Sequence, residues 1–372
     1  MTSVKFFDAE KGFVAGGNKI FQTKTSGNIW KISYTGSELS FFEDLFMIEE
    51  NKVVAVGLDF GTGESVIVKT EDGGLSWNTI SIQNSSFLKS VFFVSPIIGY
   101  CSGGGGVILK TTNGGDNWQP LNSGTNQTLN SIYFMDEMNG IAVGGDPISN
   151  IILKTIDGGA NWTKISTSTS NNLQSVYFAN QQIGYIVGWN GEIMKSENGG
   201  NTWTNQSSVS MSGNLEVFFT DANTGYIVGG DVNESLIQKT ETGGALWEDI
   251  SPSIDHGLVS IHFTSALNGY AVGASGTVLK TSSGGVSAVQ ETYSSTQILV
   301  YPNPVVDHVS IEASFPEIIE SINVFDNNGH TLHSSVIKSS KANLDLFSLE
   351  ANNYYLVIQT NKGLCIKKFL KV

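Results

Sequence analysis

Nine residues, Lys69-Thr70-Glu71-Asp72-Gly73-Gly74-Leu75-Ser76-Trp77, return with variation at 110–118, 154–162, 195–203 and 239–247. A degenerate copy runs from Gln22 to Trp30. A last copy, Lys280-Thr281-Ser282-Ser283-Gly284-Gly285, has no tryptophan. The repeat tryptophans at 30, 77, 118, 162, 203 and 247 are 47, 41, 44, 41 and 44 residues apart. A period in the forties is the mark of a repeat architecture, in which each unit buries its apolar face against the next.

The motif reads as a hairpin turn. Asp72, Asn113, Asp157 and Asn198 carry side chains that bond nearby backbone N–H groups. The glycine pairs supply positive φ. Trp77, Trp118, Trp162, Trp203 and Trp247 are the large apolar groups that would pack between neighbouring units. Nothing in the turn resembles an activated nucleophile or a matched acid–base pair.

Each unit has the same earlier parts. A first strand comes first, as in Ser3-Val4-Lys5-Phe6-Phe7, Ser131-Ile132-Tyr133-Phe134 or Ser260-Ile261-His262-Phe263, with a weaker version at Asp44–Ile48. A polar turn then leads to glycine and an apolar strand, such as Gly184–Gly188. A third strand such as Val107–Lys110 follows, and the fourth opens at the tryptophan. Four short strands per unit, seven units and no helical periodicity predict an all-β chain built on a seven-bladed β-propeller over residues 1–286.

Composition narrows function. The formal net charge is −14, and all 20 basic side chains are lysine. No basic face is visible, so nucleic acid is not an expected partner. No run of 18 apolar residues predicts a membrane span. Cys101 and Cys365 lie in different halves, and no zinc-type spacing occurs. No metal, cofactor or catalytic residue is expected.

The segment Thr70-x-Asp72-x-Gly74-x-Ser76-Trp77 resembles the Asp-box of bacterial sialidase-type repeats. The longer unit, with Gly-Tyr-x-Val-Gly before Lys-Thr-x-x-Gly-Gly-x-x-Trp, is similar to the propeller family of the photosystem II assembly and stability factor, across roughly residues 3–286. Sialidases of that resemblance bind the substrate carboxylate through three arginines. Lysine does not reproduce that bidentate fork, and this chain has no arginine. The assembly factors are thought to act through a basic face. Residues 1–286 carry 14 lysines against 26 acids, so the resemblance implies the fold and not the role.

Ser287–Thr296 breaks the repeat and reads as a linker. Residues 297–372 hold short alternating strands, with Asp326-Asn327-Asn328-Gly329 as a tight turn, and predict a small Ig-like β-sandwich. This segment resembles the type A C-terminal sorting domain of type IX secretion substrates. The matching features are Tyr301-Pro302-Asn303-Pro304 with Asp307, Val324-Phe325-Asp326 with Gly329, Leu344-Asp345-Leu346, Tyr354-Tyr355, and the ending Lys367-Lys368. Asn352-Asn353 stands where that family usually has glycine, and asparagine also tolerates positive φ. The resemblance implies export across the outer membrane, with the secretion machinery and its sortase as partners, then cleavage near the linker and attachment to the cell surface or release.

Candidate ligand residues sit in the loops between second and third strands. Asp59, Asp146 and Asp231 occupy three longer loops, in units two, four and six. They read as solvated acids of a duplicated loop, with a rim for cations or a basic partner as the alternative. Trp189 is a tryptophan outside the repeat turn. Core packing is its default reading, and stacking on a sugar or other partner group is the alternative. His262 alternates with apolar neighbours and reads as a structural histidine.

The expected function is that of a secreted or surface-attached, non-enzymatic, monomeric propeller that binds an unidentified partner or surface ligand. A polysaccharide or peptide hydrolase on the same scaffold is the alternative. Unit seven lacks its tryptophan strand, and Met1 is followed almost at once by the first strand of unit one. A signal peptide and a Trp-bearing closing strand are therefore expected upstream, with Val286–Gln290 as the alternative outer strand.

Overall fold

The computed structural model describes residues 1–82, 86–146, 149–285, 298–302, 304–313, 318–326, 331–361 and 363–371. The chain is all-β and divides into two compact units, residues 1–288 and 289–372.

Among the described residues, seven antiparallel sheets follow one another along the first unit. Their first strands are Ser3–Phe6, Ser40–Glu49, Leu88–Phe93, Leu129–Phe134, Leu173–Phe178, Asn214–Phe219 and Leu258–Phe263. Among the described residues sheets 1 to 6 have four strands and sheet 7 has three, ending at Val278–Thr281. The linker and Val286–Gln290 lie outside the described residues. The first strands pack side by side, and that of sheet 1 meets those of sheets 2 and 7. In sheets 2 to 6 the fourth strand starts one residue after the tryptophan, at Asn78, Gln119, Thr163, Thr204 and Glu248. The tryptophan belongs to the turn, and its ring goes inward instead of joining the ladder.

One hydrogen bond recurs in every turn. The hydroxyl that ends the third strand accepts the N–H of the second glycine: Thr70 from Gly74 at 2.9 Å, Thr155 from Gly159 at 3.0 Å, Ser196 from Gly200 at 2.8 Å. Thr23, Thr111, Thr240 and Thr281 accept likewise from Gly27, Gly115, Gly244 and Gly285. Both glycines hold positive φ, 70° and 84° at Gly73 and Gly74, where a side chain would be strained. Asp72 closes the other half of its turn, accepting from the Leu75 and Ser76 N–H groups and the Ser76 hydroxyl. Those bonds, the Ser76 hydroxyl foremost, hold its carboxyl down at about 2. Asn113, Asp157 and Asn198 accept the equivalent N–H of Asn117, Asn161 and Thr202.

The turn also joins neighbouring sheets. The Gly158 carbonyl of sheet 4 accepts from the Tyr100 hydroxyl and Lys110 Nζ of sheet 3, at 3.1 and 2.9 Å. Tyr185 reaches Gly243, Tyr226 reaches Gly284, and Tyr270 of sheet 7 reaches Ser26 of sheet 1. Each of these tyrosines stacks on a phenylalanine of the next sheet: Tyr100 on Phe134 and Tyr270 on Phe6 at 3.6 Å, Tyr185 on Phe219 at 3.9 Å, Tyr226 on Phe263 at 4.2 Å. The repeat tryptophan meets that phenylalanine edge-on, as Trp162 meets Phe134. Trp118 packs with Val54, Val56 and Ile67 of the preceding sheet, and Trp247 with Tyr185 and Val187. Trp77, Trp162 and Trp203 pack in the corresponding clusters.

The inner edge of each first strand leaves N–H groups without a ladder partner. Side chains of the preceding sheet accept them. Ser131 accepts Val176 N–H, Ser175 accepts Val217 N–H and Ser260 accepts Val4 N–H. Asp44 and Glu216 stand at this same position in sheets 2 and 6, and accept Val91 and Ile261 N–H. Two residues further on, the first strands carry Lys5, Phe46, Phe92, Tyr133, Tyr177, Phe218 and His262, which line the axial channel. Lys5 Nζ bonds Glu216 at 3.0 Å, and Phe6 N–H donates to His262 Nδ1 at 3.3 Å. Burial, aided by the Lys5 charge, holds the His262 imidazole down at about 3. Burial raises the Asp44 carboxyl despite Lys5 nearby.

The second unit packs a three-stranded sheet, Ile298–Tyr301, His308–Ala313 and Lys341–Asp345, with a four-stranded one. The latter is ordered Thr331–Ser339, Ile319–Phe325, Asn352–Thr360, Gly363–Lys371. Val309, Ile311 and Leu344 from the first meet Ile322, Val324, Leu356, Ile358 and Phe369 from the second in one core. Thr331–Ser339 is the strand that follows the turn expected at 326–329. It is an edge strand with mostly exposed side chains, so it shows no apolar alternation.

Replacing Thr155 with valine keeps the shape and orphans the buried Gly159 N–H, which should cost about 1–3 kcal/mol in urea unfolding. Trp247→Ala should cost about 3–5 kcal/mol. Wild-type stability in either would contradict the packing described. The unfolded chain protonates His262 near pH 6.5 while the folded chain resists to about 3. Stability should therefore be full above pH 6.5 and fall as pH drops below it. His262→Phe, the residue sheets 2, 3 and 6 carry there, should flatten the loss between pH 7 and 5. An unchanged slope would refute the assignment.

Candidate functional site

The strand order puts two sets of connections on one face of the first unit: the loops between second and third strands, and the crossings from one sheet to the next. The residue before each inner cap, Thr2, Glu43, Lys89, Asn130, Gln174, Leu215 and Val259, lines the channel mouth on this face, around about 240 Å³. Its composition is uneven. Lys89 and Glu43 pair at 2.7 Å on one side, Asn130 and Gln174 present carboxamides, and Leu215 and Val259 are apolar.

Beside the mouth, between sheets 4 and 5, lies a larger depression of about 530 Å³. Its walls include Thr128, Asn130, Asp146, Asn172, Gln174 and Trp189. Asn172 is its organising residue. It accepts from Asn130 Nδ2 at 2.9 Å and from Gln174 Nε2, and its own Nδ2 donates to the Gly145 carbonyl at 2.7 Å. Asn190, also in the wall, donates to Asn171, which donates to buried Glu192. Trp189 is half exposed, and its ring lies against Gly213, where a Cβ would stand 3.2 Å from Cε3. A concave, carboxamide-rich wall beside an exposed aromatic has the form of a ligand site.

Of the four sequence candidates, Asp146 and Trp189 meet in this depression. Asp59 and Asp231 line neither it nor the mouth. Asp59 accepts the Gly61 N–H of its own loop and the Ser37 hydroxyl of the crossing from sheet 1 to sheet 2. Those bonds, the Ser37 hydroxyl first, hold its carboxyl low. Asp231 accepts Asn233 and Glu234 N–H, a loop cap of the same kind. Sequence reading missed Asn130, Asn172 and Gln174. The signal for two of them was available: Asn130 and Gln174 directly precede the capping serines of their first strands.

The channel gathers Lys5, Asp44, Glu216 and His262, the only acids and bases other than tyrosine that line it among the described residues. Both Asp44 oxygens are engaged, by Ser3 and Leu45 N–H on one and Val91 N–H on the other. Both Glu216 oxygens are engaged by Lys5 and Ile261 N–H. On the opposite face a smaller hollow, about 230 Å³ near Asn198, is bounded by polar groups already bonded, with Asp136 held by Asn139 and Lys154 by Gly199. Among the described residues no three metal-ligating side chains gather, and no helix is long and apolar enough to cross a membrane.

In the second unit Tyr301 donates to Glu312 at 2.6 Å, next to Pro302 and Pro304. The Asp307 carbonyl accepts Leu346 N–H. Lys367 and Lys368 lie in the last strand, paired with Leu356 and Tyr355. Asn303 and Gly329 fall outside the described residues.

Comparison with known proteins agrees with the fold. A secretion system C-terminal sorting domain matches residues 299–372. The family of photosynthesis system II assembly factor YCF48 matches 69–171 and 165–254. Among solved structures, YCF48 bound to a D1 peptide aligns with TM-score 0.62 at 18% identity, over 75% of this chain and 92% of that one. YCF48 from Cyanidioschyzon merolae gives 0.60 at 19%, over 75% and 94%. PorZ, a surface component of the type IX secretion system of Porphyromonas gingivalis, gives 0.55 at 11%, over 98% of this chain and 58% of that one. At these identities the structures speak for the fold alone, a β-propeller. No curated protein matches in sequence. With residues 69–254, half its length, matched by one family, this chain belongs to the family of photosynthesis system II assembly factor YCF48, and it ends in a secretion system C-terminal sorting domain.

Proposed function

We propose that this chain is an exported, non-enzymatic binding protein: a seven-bladed propeller over residues 1–286, a linker at 287–296, and an Ig-like sorting domain at 297–372 that addresses it to the type IX secretion machinery. The carrying observation is the sorting-domain match over residues 299–372, which begins after the repeats end. Its destination is the outer surface or the medium, and the sortase is its processing partner. It works as a monomer. The propeller is the cargo, and its ligand site is the loop-face depression that holds Asp146 and Trp189.

The binding reading is supported against the hydrolase reading by the engagement of the channel carboxylates. Asp44 and Glu216 cap backbone N–H groups of neighbouring strands, work that conflicts with proton transfer to a substrate. The D1 peptide that YCF48 binds gives no guide to the ligand here, because this propeller is strongly acidic.

Deleting residues 297–372 in the native bacterium should leave the propeller in the periplasm, and fusing them to a periplasmic reporter should carry that reporter to the surface or medium. Cell fractionation reads both. Normal export of the truncated protein would overturn the assignment of the tail.

A further inference from the structure

We infer that the depression beside Trp189 takes a neutral, hydroxyl-rich chain, an uncharged oligosaccharide; this rests on the loop-face site proposed above. The hydrogen-bonding character of the wall decides it. The network around Asn172 uses both N–H groups of Asn130 and one each of Asn172 and Gln174. Asn190 likewise donates away from the depression, to Asn171. With the amides so oriented, the side-chain carbonyls of Asn130, Gln174 and Asn190 have no protein donor among the described residues. The exposed Asp146 carboxylate adds a further acceptor. The site therefore asks its ligand for donors, and several at once.

Charge removes the anions. Among the described residues no lysine lines the depression, and its one charged residue is an acid. An anionic sugar, phosphate or acidic peptide would meet repulsion with no cation to offset it. Shape selects among the donors that remain. The Trp189 ring is backed by Gly213, where any side chain would push it away, and this sets it as a platform at the wall. A pyranose ring offers C–H groups on its face and hydroxyls around its edge. It can cover the indole and still turn donors toward the carboxamides. A peptide brings one backbone N–H per residue, too few for acceptors this closely grouped. Asn130 and Gln174 line both the depression and the channel mouth, so the two hollows adjoin at these side chains, which suits a chain longer than one ring.

The test is calorimetric titration of the full chain with three panels: neutral oligosaccharides of hexose and N-acetylhexosamine, anionic oligosaccharides, and lysine-rich peptides. At least one neutral series should bind. Trp189→Ala should weaken it about tenfold or more, and Gln174→Ala measurably, with melting temperatures unchanged. Gln174→Ala is the second reading should Trp189→Ala fold poorly. Failure of every neutral series at millimolar concentration would overturn the inference. Binding of peptide or anion that depends on Trp189, without neutral sugar, would overturn the ligand class and leave the site standing. Sugar binding indifferent to both substitutions would overturn the site as well.

Discussion

The first unit depends on a buried hydroxyl that accepts the N–H of a glycine four residues on. This bond closes a turn whose backbone requires positive φ at two successive positions, and it does so in all seven sheets. The closed turn then presents a carbonyl outward, to which the preceding sheet's tyrosine or lysine attaches. A local hairpin bond is thus also the anchor of the contact between sheets. A buried N–H left without its partner carries the full desolvation penalty, so the hydroxyl is worth more to the fold than its size suggests.

The axial strands show the same economy with different chemistry. Serine is the ordinary cap for the neighbour's N–H, and where Asp44 and Glu216 replace it, charge enters the channel. Lys5 answers Glu216, and His262 takes its place neutral. A cluster of shifted titratable groups in a cavity is a common sign of an active site. Here the same groups have structural duties, and the proposed binding site is the more open, less charged depression outside the channel.

The repeat, its turn and the four-strand unit were legible because Gly-Gly and Trp recur in register with the turn they build. The capping serine of the first strands was visible, but its task was not, since a cap across sheets involves residues over 40 positions apart. Trp189 stood out by departing from the repeat, and Asp146 by its longer loop. Asp59 and Asp231 looked equivalent to Asp146 in sequence, yet lie outside the depression, whose carboxamides come from sheets 4 and 5. In the second unit strands such as Ile322–Phe325 could be read from alternation; Lys341–Asp345, whose core side chains are only Ala342 and Leu344, and the exposed edge strand Thr331–Ser339 could not.

The proposed function divides the labour: turns and inner caps hold the ring, the tail would address the protein, and one sector of one face would meet the ligand. Hydrogen exchange on the full chain, with and without a surface-envelope extract of the native bacterium, tests this most directly. Protection should appear around Asp146, Asn172 and Trp189, with the Gly-Gly turns of the opposite face unchanged. Protection concentrated on those turns, with the Trp189 sector unaffected, would contradict it.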